Sequence, residues 1–221
     1  MRDRPYSPVS RTHLLRMARL AQRAVDYSIK AYELGSYELC HMVRSTDEEM
    51  RKLQLSIGDR GRLLGAQGRL VDTESIAASC TLRVYSALQV TYFAAAEMAQ
   101  STVLLLENEF NNGRKTRSPS KMVTTNLVNG LVRLCTVALF DEKIQRASML
   151  LQVSEGYRRF DIERQLREEE LTCRNDAGAG FELAITHCLA HIAEQAHEIA
   201  DAIARWLDGR GCAGLPRERA A

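Results

Sequence analysis

From Thr73 to Asn108 the chain runs without a glycine or a proline, the two residues that most readily end a helix. At about 1.5 Å per residue such a run spans roughly 50 Å, a length that fits a long bundle helix and little else. Its side chains are apolar on most faces (Ile76, Leu82, Val84, Leu88, Val90, Tyr92, Phe93, Val103, Leu104), with Arg83, Glu97 and Glu107 among its few charges. The segment is therefore expected to be a central helix enclosed by its neighbours.

The rest of the chain repeats this logic. Ser10 is placed to cap a first helix to about Glu33, on which Leu14, Met17, Leu20, Ala21, Ala24 and Tyr27 recur at helical spacing. Gly35 and Ser36 end it, and a second helix follows from Tyr37 to about Leu55, weakening through Gly58, Gly61, Gly65 and Gly68 into a helix-to-helix connection. The polar, basic stretch Asn111-Asn112-Gly113 to Pro119 reads as a boundary. Beyond it the order begins again, with helices expected at about Lys121–Phe140, Glu142–Cys173 and Ala177–Gly209.

Ala96-Glu97-Met98-Ala99, late in the third helix, matches Ala193-Glu194-Gln195-Ala196 at the equivalent place in the sixth. Together with the repeated order, this predicts an all-α chain of two tandem three-helix bundles, six long helices related by internal duplication. The expected divisions are a disordered start over 1–9, a first repeat over 10–109, a basic linker over 110–121, a second repeat over 122–209 and a frayed tail over 210–221. Only four prolines and thirteen glycines interrupt the 221 residues, and 45% hydrophobic content is enough for a core.

Thirty basic residues nearly cancel twenty-eight acidic ones, so global charge gives no reason to expect nucleic acid. The basic excess is local. Arg16, Arg19 and Arg23 form a stripe on the first helix, and Arg114, Lys115, Arg117 and Lys121 crowd the middle of the chain. Both groups read either as solvated surface or as docking sites for a protein partner or anionic lipid.

The six cysteines are scattered without a Cys-x-x-Cys pair and suggest core residues rather than a zinc or redox motif. The first thirty residues lack the apolar segment of a signal peptide, and no stretch of about eighteen apolar residues appears, so a reduced, cytoplasmic, non-spanning protein is expected. Neither a phosphate-binding glycine loop with its lysine, nor a nucleophile elbow, nor a metalloprotease His-Glu-x-x-His occurs, so no enzyme activity is expected.

On the sixth helix His187, His191, Glu194, Glu198 and Asp201 follow at steps of four, three, four and three, which puts them on one face. Imidazoles and carboxylates so arranged, with Glu97, are candidate ligands of a divalent or iron ion. The alternative is a solvated face opposite Leu189, Ile192, Ala196, Ile199, Ile203 and Trp206.

The run His187-Cys188-Leu189-Ala190-His191-Ile192-Ala193-Glu194-Gln195-Ala196-His197-Glu198-Ile199-Ala200-Asp201 resembles the last helix of the PhoU family of bacterial phosphate-signalling proteins. Arg44-Ser45-Thr46-Asp47-Glu48-Glu49-Met50 is similar to the acidic start of that family's second helix, and the helix order matches over about residues 10–209. The resemblance implies two three-helix bundles and a negative regulator of phosphate uptake and of the phosphate two-component response. Its implied partners are a phosphate ABC transporter subunit and a sensor kinase, with a homodimer at the inner face of the membrane. Family members that hold metal use an acid-x-x-x-Asp motif on the third helix of each repeat. Here the second acid is present as Glu97 and Glu194, and the first positions carry Phe93 and Ala190.

Overall fold

A computed structural model describes residues 8–66, 72–112, 121–141, 144–157, 163–172 and 177–214. Eight helices and no strand occur among them: α1 (Pro8–Leu34), α2 (Tyr37–Arg44), α3 (Asp47–Ala66), α4 (Asp72–Asn112), α5 (Lys121–Asp141), α6 (Ile144–Tyr157), α7 (Glu163–Thr172) and α8 (Ala177–Gly214). The expected all-α bundle is present; in the first half the expected second helix is divided into α2 and α3, and in the second half the expected middle helix is described in two stretches, α6 and α7. α1, α2–α3 and α4 are followed in the same order by α5, α6–α7 and α8.

Several boundaries move for local reasons. α1 opens at Pro8 rather than Ser10, since a proline's missing N–H is no loss in a helix's first turn. It closes at Gly35, whose φ of 66° lets the Ser36 N–H return to the Ala31 carbonyl at 3.0 Å. The expected second helix breaks at Ser45 and Thr46, whose hydroxyls donate to the Met42 and Val43 carbonyls and compete with the helix ladder. A new first turn rich in acid, Asp47, Glu48 and Glu49, then starts α3. α3 remains helical through Gly58, Gly61 and Gly65, where a connection was expected, because glycine weakens a helix by only about 1 kcal/mol relative to alanine. α4 extends to Asn112 and α8 to Gly214, each past its expected end.

The most extensive helix pair is α4 with α8, one from each half. Arg83, early in α4, meets Glu198 and Asp201, late in α8, so the two run antiparallel. Buried alanines on both helices (Ala95 and Ala99, Ala196 and Ala200) let their backbones approach closely. α1 and α5 pack beside this pair, and one continuous apolar core draws Met17, Val25 and Ile29 from α1, Tyr92, Met98 and Leu105 from α4, Val128 and Leu131 from α5, and Ile185, Leu189 and Ile192 from α8. Burial of each such side chain contributes about 1.5–3 kcal/mol, which dominates the folding energy.

The repeat reaches individual environments. Glu97 and Glu194 are both exposed, whereas Ala99 and Ala196, two residues on, are both buried. α4 is nonetheless less enclosed than its composition suggests: Leu82, Val90, Phe93 and Leu104 lie on an open face, with Phe93 52% exposed.

Candidate functional site

Several of the residues singled out by sequence are open to solvent on α4 and α8. Phe93 and Glu97 are exposed on α4, and His187, His191 and Glu194 on α8. The antiparallel packing sets Glu97 opposite Cys188, near enough to add to the effect of burial in pushing that thiol up to about 12.

The five acid and histidine positions of α8 divide into two groups. His187, His191 and Glu194 are open to solvent. Glu198 and Asp201 are engaged with Arg83, at 2.6 Å and 3.0 Å, and Asp201 also accepts from Arg205 at 3.0 Å. Burial raises the Asp201 carboxyl, yet the hydrogen bonds and charges of Arg205 and Arg83 outweigh it and hold the group below the usual carboxylate range. Helical spacing places side chains on one face but also strings them along the axis. Among the described residues no three His, Cys, Asp or Glu side chains are grouped so as to hold a metal ion.

The arginine stripe of α1 is occupied within the fold. Arg16 bridges to Glu49 of α3, Arg19 stacks 4.9 Å from the Phe140 ring centroid on α5, and Arg23 lies 5.9 Å from Tyr27. Each arginine thus ties α1 to a neighbour or to its own surface. Arg114, Lys115 and Arg117 lie outside the described residues.

A second site was hidden from the sequence. Lys121, which looked like part of the basic linker, is completely buried as the first residue of α5. Its ammonium donates to the Glu182 carboxylate at 2.5 Å and to the Glu182 carbonyl at 2.7 Å, lies 3.1 Å from Glu169, and sits over the Tyr32 ring at 5.9 Å. The Tyr32 hydroxyl donates to Glu182 at 2.8 Å, and Thr186 donates to Glu169 at 2.6 Å. Burial pushes the Glu182 carboxyl above the usual range, against the opposing pull of Lys121 and Tyr32. Four elements, α1, α5, α7 and α8, converge on this network. A lone Glu182 in the otherwise apolar start of α8 was its only sequence signal.

A third polar cluster pins the break between α2 and α3. The Tyr92 hydroxyl is 2.6 Å from Asp47 Oδ1 and 2.9 Å from Thr46 Oγ1, and it also reaches the Val43 carbonyl at 3.3 Å. Burial and the adjacent Asp47 carboxylate hold its phenol protonated far above the normal range. Cys40, Cys80, Cys135 and Cys188 are buried free thiols, as expected of core cysteines, and Cys135 Sγ donates to the Ala196 carbonyl at 3.3 Å.

These features sit on a PhoU-like fold. The structure superposes on the crystal structure of PhoU from Pseudomonas aeruginosa with a TM-score of 0.79, at 18% identity, covering 90% of this chain and 96% of that one. It superposes on the phosphate transport system regulatory protein PhoU from Streptococcus pneumoniae with a TM-score of 0.69, at 13% identity, covering 90% and 93%. No protein-family model matches the sequence, and no curated protein sequence matches it. The likeness is therefore one of fold, with few shared letters.

Proposed function

We propose that this protein is a non-catalytic regulator of phosphate transport that works by presenting helix surfaces to a phosphate ABC transporter and to the associated sensor kinase, damping uptake and the two-component response. The observation that carries this reading is the near-complete two-way coverage with PhoU from Pseudomonas aeruginosa, which leaves little of either chain unmatched. The exposed Phe93 on α4 supports it, because an aromatic side chain open to solvent is the kind of anchor that protein interfaces use. On this reading the protein is cytoplasmic and reaches the inner face of the membrane through its partners.

Affinity-tagged protein, expressed in cells grown with ample phosphate, is expected to co-purify with a phosphate transporter subunit or the kinase, and Phe93→Glu is expected to weaken that recovery at unchanged helicity. Recovery of neither partner, with a phosphate-starvation reporter unaltered by deletion of the gene, would sink the proposal.

A further inference from the structure

α7 gives the core little. Leu166 alone of its described side chains packs against the apolar cluster, while Arg167, Glu168, Glu170 and Leu171 are exposed. What ties α7 down is polar. Gln165 and Glu169, one turn apart, meet α5 and α8: Thr124 donates to Gln165 Oε1 at 2.8 Å, Thr186 donates to Glu169 Oε2 at 2.6 Å, and Lys121 Nζ lies 3.1 Å from Glu169 Oε1. Gln165 Nε2 also donates to Glu169 at 3.1 Å. Attachments of this kind hold a helix only while the buried charges among them are answered.

The charges beneath α7 do not balance. The fully buried Lys121 ammonium spends its three N–H bonds on Glu182 Oε2, the Glu182 carbonyl and Glu169. Against this one cation stand two carboxylates, Glu169 and Glu182, with side chains 16% and 7% exposed. α1 brings the Tyr32 hydroxyl to Glu182 and the Glu33 carboxylate to Thr125, and carries Lys30 on its exposed side. α4 brings Glu109, also buried, toward the first turns of α8. On α8 itself the next titratable side chain is His187, which is exposed. One added proton makes the site neutral, and Glu182 is placed to take it. Its Oε1 lies 3.1 Å from the Tyr32 hydroxyl, whose oxygen can accept the new O–H, while Oε2 keeps the Lys121 bond. Burial raises this carboxyl, which acts in the same direction.

We infer that α7 is a proton-coupled latch: it stays docked while Glu182 holds a proton taken from solvent, and it lets go when that proton is lost and Glu169 faces a second buried carboxylate across a single ammonium. Glu169 is the carboxylate that leaves, because it is the less buried of the two and stands on the helix with the least apolar anchorage. Release opens Lys121 and Glu182 to water and keeps the α4–α8 seam intact. The docked state binds one proton more than the released state, so the opening of α7 grows with pH, by up to about tenfold per unit, from the ordinary glutamate value of about 4.3 up to the raised value of Glu182. The inference is independent of the regulatory reading above.

Hydrogen exchange over residues 163–172 of the full chain, corrected for the intrinsic rate at each pH, is expected to show the α7 opening constant rising at least about tenfold from pH 5 to pH 8, while amides of α4 and α8 stay protected. Glu182→Gln, which copies the shape of the protonated side chain, is expected to flatten that rise at unchanged circular dichroism. Glu169→Gln leaves one carboxylate to one ammonium, is expected to reduce the rise as well, and carries the test if Glu182→Gln fails to fold. Glu168→Gln, on the exposed side of α7, should keep the rise. An opening constant that does not change with pH would overturn the inference. So would a rise that survives removal of either buried carboxylate, or α7 amides that exchange only together with those of α4 and α8.

Discussion

Lys121 Nζ and Glu182 Oε2 lie 2.5 Å apart in the interior, joining the first turn of α5 to the first turns of α8 across 61 residues of sequence. Glu169 and Tyr32 complete the shell around them. A buried pair adds little over well-packed apolar groups, but breaking one is costly, since the surviving charge has no water to turn to. Lys121→Met is therefore expected to destabilise the protein by about 3–5 kcal/mol in urea unfolding. Lys121→Met combined with Glu182→Gln should recover a large part of that loss, and a double variant no better than the single one would contradict the charge argument.

Acid should act on the carboxylates with opposite signs. Asp26 and Asp201 sit below the usual value: in each, burial pushes the carboxyl up and is outweighed, at Asp26 by Arg133 with the Asn129 side chain and Lys30, and at Asp201 by Arg205 and Arg83. Their stabilisation is complete above the unfolded value of about 3.9 and is lost as pH falls through their lowered folded values. Glu182 is raised, so its contribution is fully present below about 4.3 and is lost as pH climbs through its folded value. Urea midpoints measured against pH should fall less steeply on the acid side for Asp26→Asn/Asp201→Asn than for the wild type.

Tyr92→Phe keeps the buried ring and its edge-on contact with Phe93, at 6.1 Å between centroids, and removes only the hydroxyl that serves Asp47, Thr46 and the Val43 carbonyl. A loss of about 1–2 kcal/mol is expected, together with faster hydrogen exchange around the α2–α3 break. Unchanged exchange at Thr46 and Asp47 would show that the hydroxyl does not pin the break.

Gly130→Ala should stabilise the isolated chain by about 0.5–1 kcal/mol, because position 130 is mid-helix, the new methyl meets nothing within 4 Å, and alanine loses less entropy than glycine on entering a helix. Thermal unfolding at low protein concentration measures this apart from any association.

Cys40, Cys80, Cys135 and Cys188 are expected to resist a disulfide reagent until the protein unfolds, since burial raises each of them, Cys188 to about 12 and Cys135 further still. Rapid modification of Cys135 in native protein would mean that the α5–α8 seam opens readily.

The all-α architecture was legible because the long glycine-free run and the repeated helix order both depend on local periodicity, which sequence records directly. The break at Ser45 and Thr46 was not, because its stabilising partner Tyr92 lies 46 residues from Thr46. Lys121 was misread for the same reason: beside Arg114 and Lys115 it looks solvated, and only the fold reveals Glu182. The helix-six histidines and acids illustrate the limit of a periodic pattern. Period placed them on a common face, but Arg83, from the other half of the chain, decides that Glu198 and Asp201 are already engaged. Likewise the apolar content of α4 and α5 did not say which of their faces would be left open.

The pairing of α4 with α8 makes each half of the chain the other's missing wall. A cut between residues 112 and 121 should leave two fragments that stay together through that seam, and fragments expressed separately should be insoluble alone yet reconstitute the bundle when mixed. Covalent continuity between the halves then serves assembly more than cohesion.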